Sequence, residues 1–152
     1  MYSNILVPVD GSETSANGLL EAIKLAKSGG ARLRLINVVN TAVPAMEYAA
    51  GYAAMDDVPQ RLRASAEAVL KQADDVVRQN GLQSESVLIG TVMDNTGELI
   101  INQAMEWPAD VIVMGTQGRR GLARLLLGSN AEYVLRHTPV PVLLVRKQSK
   151  GS

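Results

Sequence analysis

Gly115-Thr116-Gln117-Gly118, followed after nine residues by Gly128-Ser129, is the stretch of this 152-residue chain whose residue types and spacing best suit a bound ligand. Written as G-x2-G-x9-G-[S/T], it begins where an apolar run ends and finishes where a helix begins. Glycines let the backbone approach an anion closely with N–H groups turned inward, and the helix after Ser129 adds unpaired N–H groups and a positive dipole end. Arg119 and Arg120 stand inside the loop, where guanidinium groups can meet phosphate oxygens. Phosphate is the guest this chemistry fits. Taken alone, the same glycines also serve as turn residues, and Ser129 as a helix cap.

Asp10 is the second candidate, placed directly after the apolar run Ile5-Leu6-Val7-Pro8-Val9. A carboxylate there either caps the next helix or reaches a ribose hydroxyl or a phosphate-bound metal, and Ser12 is available to do the capping instead. His137, the single histidine, falls near a helix end, where an imidazole meets terminal carbonyls more readily than it does catalysis. There is no G-x4-G-K-[S/T] lysine to drive phosphoryl transfer, no G-x-S-x-G, no metal-ligand cluster and no cysteine. No catalytic residue is assigned, and hydrolysis of a bound phosphate ester is expected to be slow or absent.

Composition narrows the partners. Lys plus Arg and Asp plus Glu each total 15, so the chain has no electrostatic footprint for nucleic acid or anionic lipid. The opening Met-Tyr-Ser-Asn lacks a basic region, and Ile5 to Val9 is far too short for a signal peptide or a membrane span. A cytoplasmic location is expected. With 47% apolar residues spread along the chain, a core can be buried.

The elements that must position these residues follow from periodicity. Ile5 to Val9 reads as a buried strand, and Ala16, Leu19, Leu20, Ile23 and Ala26 recur at helical spacing until Gly29-Gly30 closes the helix. Leu33 to Val39 is a second strand. Asn40 to Gln60 shows no sustained period and reads as a long connection, and its segment Met46 to Met55 suits core filling or a mobile loop as well as a nucleotide cover or partner site. Asp57 to Asn80 carries Leu62, Ala66, Val69, Leu70, Ala73, Val76 and Val77 on one helical face. Ser84 to Ile89 is the third strand, a helix capped by Asn95 or Thr96 runs to Pro108, and Asp110 to Met114 is the fourth strand. A short Leu122 to Leu127 turn, a helix from Ser129 to about Arg136 and a strand from Val142 to Val145 complete the order.

Strands alternating with helices call for an open five-stranded parallel sheet, α/β in class, with helices on both faces. Ligands of such sheets sit outside the carboxyl ends of the strands, at the switch point, and Asp10 and Gly115 each follow a strand end. Residues 1–147 are expected to form one domain, with 148–152 a flexible tail.

Along nearly its whole length the sequence resembles the universal stress proteins. Ile5-Leu6-Val7-Pro8-Val9-Asp10-Gly11-Ser12 matches their first strand, Val111-Ile112-Val113-Met114-Gly115 their fourth, Leu127-Gly128-Ser129 with Ala131-Glu132 their phosphate helix, and Pro139-Val140-Pro141-Val142 their closing strand. The loop spacing is the one that marks ATP-binding members. The resemblance implies a Rossmann-like sheet of the adenine nucleotide alpha hydrolase kind, and ATP as ligand with Mg²⁺ or Mn²⁺ accompanying it. It implies that Pro8, Val9 and Asp10 border the adenosine, with Val38 and Met114 against the base or sugar, and that Gly115, Gly118, Arg119, Gly128, Ser129 and Asn130 line the phosphates. Gln117 stands where Ser, His or Arg is frequent and Asn130 where Val or Thr is usual, which leaves their contacts open. The function implied is a nucleotide-responsive regulatory binding protein with a protein partner the sequence does not name. The alternative is a slow ATPase or nucleotidyl-transfer enzyme on the same fold, and Val9-Asp10-Gly11-Ser12-Glu13 lacks the S-G-G-x-D-S loop of related transferases. The resemblance also implies a homodimer through Val142 to Val145, a wholly apolar strand at a sheet edge.

Overall fold

In the computed structural model, which describes residues 1–42, 51, 57–116 and 127–147, nine elements follow one another as five strands and four helices. They are β1 (Asn4–Pro8), α1 (Glu13–Gly29), β2 (Arg32–Asn40), α2 (Asp57–Gln79), β3 (Ser84–Thr91), α3 (Thr96–Glu106), β4 (Val111–Gly115), α4 (Ser129–His137) and β5 (Val142–Val145). The strands lie side by side in the order β3-β2-β1-β4-β5, and every neighbouring pair is parallel. The expected open five-stranded parallel sheet is thus the one observed.

Burial explains the arrangement. Ile5, Leu6 and Val7 of the central strand are fully buried, because helices cover both faces. Alternate residues feed two cores. Ile5, Val7, Leu33, Leu35, Val111 and Val113 pack with Leu19, Ile23, Leu70 and Val77 of α1 and α2. Leu6, Ile36, Ile112 and Met114 pack with Ile100, Ile101, Ala104, Ala131 and Val134 of α3 and α4. The helical stripe read from the sequence is present in α2, with Ala66, Leu70, Ala73 and Val77 buried, while Leu62 near its start is exposed.

The first helix is delimited as its sequence requires. The Ser12 hydroxyl accepts the N–H of Ser15 at 3.2 Å, and Gly30, at φ 69°, donates to the carbonyl of Ala26. At the opposite, amino-terminal end of the sheet, the carboxylate Oδ2 of Asp110 accepts the N–H groups of both Ser3 and Asn4 at 2.8 Å, joining the starts of β1 and β4. These two hydrogen bonds to the charged form hold the Asp110 carboxyl below its ordinary value. Trp107, buried at the end of α3, lies under the Arg34 guanidinium at 4.8 Å, and that guanidinium also meets Glu85 at 2.6 Å.

Candidate functional site

The order in which the chain adds strands reverses between β1 and β4, and the strand ends there have unequal lengths. Pairing of β1 with β2 stops at Pro8 beside Ile36, whereas β2 stays paired with β3 as far as Asn40 beside Thr91. Four residues of β2 therefore outrun β1. The Val9 N–H donates to the Ile36 carbonyl at 2.8 Å, so the polar backbone groups of Ile36 face β1. Two residues further on, those of Val38 face the same way, into the space past the end of β1. A donor and an acceptor thus stand side by side at the rim of the crevice.

The turn after β1 shapes the same rim. Asp10 Oδ1 accepts the Ser12 N–H at 2.9 Å, and the Asp10 N–H donates to Ser15 Oγ at 3.1 Å, with Gly11 between them at φ 84°. Of the two capping possibilities, Ser12 is the cap of α1. Asp10 instead fixes the loop that leads into it, half-buried, just past the carboxyl end of β1.

Side chains expected at the adenosine divide between the two faces. Pro8 and Val38, both half-buried, and Met114, 6% exposed, belong to the side covered by α3 and α4, whereas Val9 belongs to the core under α1 and α2. Ile89 stands beside Val38 in register, and it and Leu127 are half-buried on the α3 and α4 side. Ile89 read in the sequence as an ordinary strand residue, and Leu127 only as the residue leading into the phosphate-helix match. Asn37 is the other residue not anticipated. It is 8% exposed and its Nδ2 donates to the Ala66 carbonyl of α2 at 3.3 Å, a buried polar contact within the extension of β2.

The glycine loop is held at its base. The Gly128 N–H donates to the Thr116 carbonyl at 2.7 Å, and the Thr116 N–H donates to the Val145 carbonyl of β5 at 3.0 Å. The loop therefore leaves from and returns to one point beside β4. Gly118 and Arg119 lie outside the described residues, as do Gln117, Arg120, most of Leu122 to Leu127, nearly all of Met46 to Met55, and the tail 148–152. At the far end of the loop Gly128 is the N-cap of α4 and offers no side-chain bond to it, while Ser129 and Asn130 are the first helical residues and both exposed. Ser129 is thus the first residue of the helix and not its cap. The amides of this first turn have no carbonyl a turn earlier to bond.

Gly115 has a structural reason of its own to be glycine. A Cβ there would come within 2.6 to 2.7 Å of the backbone and hydroxyl of Thr14, and one on Gly18 within 3.3 Å of the backbone of Met114 and Gly115. The missing side chain at 115 makes room for α1.

Among the described residues no group of three or more His, Cys, Asp or Glu could cage a metal ion. A divalent cation at this crevice would need the ligand's own phosphates, with Asp10 as the nearby carboxylate. His137 is the last residue of α4. It stacks on Tyr133 with ring centroids 4.1 Å apart, and its Nδ1 lies 2.9 Å from the Tyr133 carbonyl at the end of α4, as a helix-terminal imidazole should.

The family model of the universal stress protein family matches residues 1–146. The chain belongs to the universal stress protein family. A universal stress protein of Methanocaldococcus jannaschii is 33% identical to it over 150 residues, 99% of this chain and 85% of that protein. Among solved structures, UspA from Lactobacillus plantarum superposes with a TM-score of 0.78 at 26% identity, covering 95% of this chain and 98% of that one. A universal stress protein in complex with cAMP has a TM-score of 0.66 at 25% identity, covering 95% and 96%. The Archaeoglobus fulgidus universal stress protein in complex with dAMP shares the fold at 21% identity, with a TM-score of 0.70 and coverage of 95% and 98%. No helix among the described residues of this universal stress protein is long and apolar enough to cross a membrane.

Proposed function

We propose that this universal stress protein binds an adenine nucleotide, ATP with Mg²⁺ or Mn²⁺, in the crevice at the carboxyl ends of β1 and β4. We propose further that the cytoplasmic protein works as a nucleotide-responsive regulator. The observation that carries the reading is the placement of three unlike groups past the carboxyl ends of the neighbouring strands β2, β1 and β4. The Val38 backbone offers an N–H and a C=O, Asp10 a carboxylate, and the start of α4 its uncapped amides. That set matches the three parts of the ligand. An adenine offers a ring-nitrogen acceptor next to an amino donor, a ribose offers hydroxyls to a carboxylate, and phosphates suit helix amides and a glycine loop. Pro8, Val9 and Met114 would border the adenosine, and Gly115, Gly118, Arg119, Gly128, Ser129 and Asn130 the phosphates. That a family member at 25% identity was solved with cAMP supports an adenine nucleotide as the class of ligand.

Calorimetry tests it. ATP with Mg²⁺ should bind at sub-millimolar concentration, and GTP at least roughly tenfold more weakly, because guanine sets an acceptor against the Val38 carbonyl and a donor against its N–H. Gly128→Val and Gly118→Val should abolish binding by keeping the phosphates away from the backbone. No heat with wild type, or equal heats with the variants, would remove the loop from the function. The chain's own groups bind and orient, and none of the described ones is placed as a general base for water, so phosphate release is expected to be slow.

A further inference from the structure

Thr116 belongs to two structures at once through its two backbone polar groups. Its carbonyl accepts the N–H of Gly128, closing the base of the glycine loop at the N-cap of α4, and its N–H donates to Val145, the last residue of β5. One residue thus links the start of α4 to the carboxyl end of the edge strand.

The surroundings decide where a movement of that residue goes. On one side Gly115 already lies so close to Thr14 that no Cβ fits between them, so the segment has no room to slide toward α1. On the other side is β5, four residues long, last in the sheet order and paired only to β4 among the described strands. Its terminal rung is the soft partner, because a short edge strand opens at low free energy compared with the buried centre of a sheet. Leu143 and Val145 turn their amides toward β4, as the Val145 carbonyl does, and those of Val142 and Leu144 face outward along the free edge. Past the strand, Lys147 meets Glu13 of α1 at 3.2 Å, so the exit of β5 is also tied to the helix that starts at the crevice.

We infer that occupancy of the crevice is transmitted through the backbone of Thr116 to the last rung of β5, making the carboxyl half of this edge strand the surface that reports the nucleotide. The inference rests on the nucleotide reading above and names its regulatory output. A ligand drawn onto the first turn of α4 fixes Gly128, Gly128 fixes the Thr116 carbonyl, and with that end of the residue held its φ and ψ move less and its N–H stays on the Val145 carbonyl. Without ligand the rung opens and closes. By linkage, whatever pairs with or clamps β5 must raise nucleotide affinity by the same factor.

Site-resolved amide hydrogen exchange on the full chain, with and without saturating ATP and Mg²⁺, tests this, alongside calorimetry on the same samples. ATP should slow exchange of the Thr116 and Val145 amides by roughly fivefold or more, a coupling of ordinary allosteric size, and leave Val87 on the opposite edge strand unchanged. Thr116→Pro, which removes the N–H and keeps the carbonyl, should still bind ATP but no longer protect Val145. If Thr116→Pro does not fold, the wild-type comparison decides alone: slowed exchange at both Thr116 and Val145 on ATP binding supports the link, and unchanged Val145 exchange overturns it. Absence of ATP heat would overturn the nucleotide reading and this inference together. ATP binding without protection of Val145 in wild type, or with equal protection in the Thr116→Pro protein, would overturn the inference alone.

Discussion

Gly115 and Thr14 stand so close that a single added carbon on the glycine would lie 2.6 Å from the Thr14 carbonyl carbon. The first glycine of the loop motif is therefore required by the packing of α1 on β4, whatever is bound. Gly115→Ala should destabilise the ligand-free protein by about 1–3 kcal/mol, the usual cost of overfilling a packed contact where backbone must yield. Urea denaturation without nucleotide reads this directly, and a variant as stable as wild type would show that α1 gives way freely at Thr14.

Asp10→Asn separates the turn from the ligand role. An asparagine Oδ1 can still accept the Ser12 N–H, so the loop into α1 and the melting temperature should stay near those of wild type. The charge is lost. ATP affinity should fall roughly tenfold or more, the range of a hydrogen bond to a charged group, and the slow release of phosphate should remain slow. Unchanged affinity by calorimetry would leave Asp10 with the turn alone, and rapid metal-dependent hydrolysis in wild type that Asp10→Asn abolished would make the protein an enzyme.

What could be read from the sequence follows from how local each feature is. Strand and helix identities were legible because β1 and β4 are unbroken apolar runs and α1 ends at Gly29-Gly30, and these cues lie within a few residues. That a ligand would sit at a switch point followed from the alternation of strands and helices, whereas the strand order that puts it between β1 and β4 is seen only in the folded sheet. The unequal strand ends were not legible, because β3 runs to Thr91 and β2 to Asn40 only through mutual pairing, and nothing in Gly90-Thr91 or Asn40 announces a strand. Gly90 in particular reads as a strand breaker, yet it lies where the Arg63 guanidinium would come within 2.7 Å of an added Cβ. Likewise the Gly115 requirement comes from Thr14, a hundred residues away in sequence, and the double role of Thr116 exists only once β5 has docked. Spacing alone assigned Gly115 to the phosphate, and the fold shows a packing cause that spacing cannot carry.

Asp110 makes acid stability a test of the amino-terminal end of the sheet. Its carboxyl is held below the ordinary 3.8 by the N–H groups of Ser3 and Asn4, so the folded state favours the charged form. Such a group contributes stability above its unfolded value, and the contribution is lost as pH falls through the lowered folded value. Asp110→Asn should therefore melt lower than wild type at neutral pH, with the two curves converging below about pH 4. A gap that stayed constant down to acid pH would mean that the carboxylate's charge contributes nothing at this junction.

The edge strand carries the last prediction, a homodimer formed by β5 against its copy. Val142, Leu144 and Val145 are half-buried against the two cores, whereas Leu143 is 40% exposed on a strand with one free edge among the described residues. Apolar side chains on such an edge invite a partner strand, and Pro139 and Pro141 confine pairing to the residues that follow by removing donors before them. A two-fold arrangement with the strands antiparallel satisfies both edges together and closes the assembly, which an open head-to-tail pairing would not. Leu143→Lys places a charge in that interface and leaves the buried contacts of Val142 and Leu144 in place, so the monomer should keep its fold and lose its partner. Light scattering at micromolar concentration should give a dimer for wild type and a monomer for the variant. A monomeric wild type would end the proposal, and a variant that stayed dimeric would move the interface off β5.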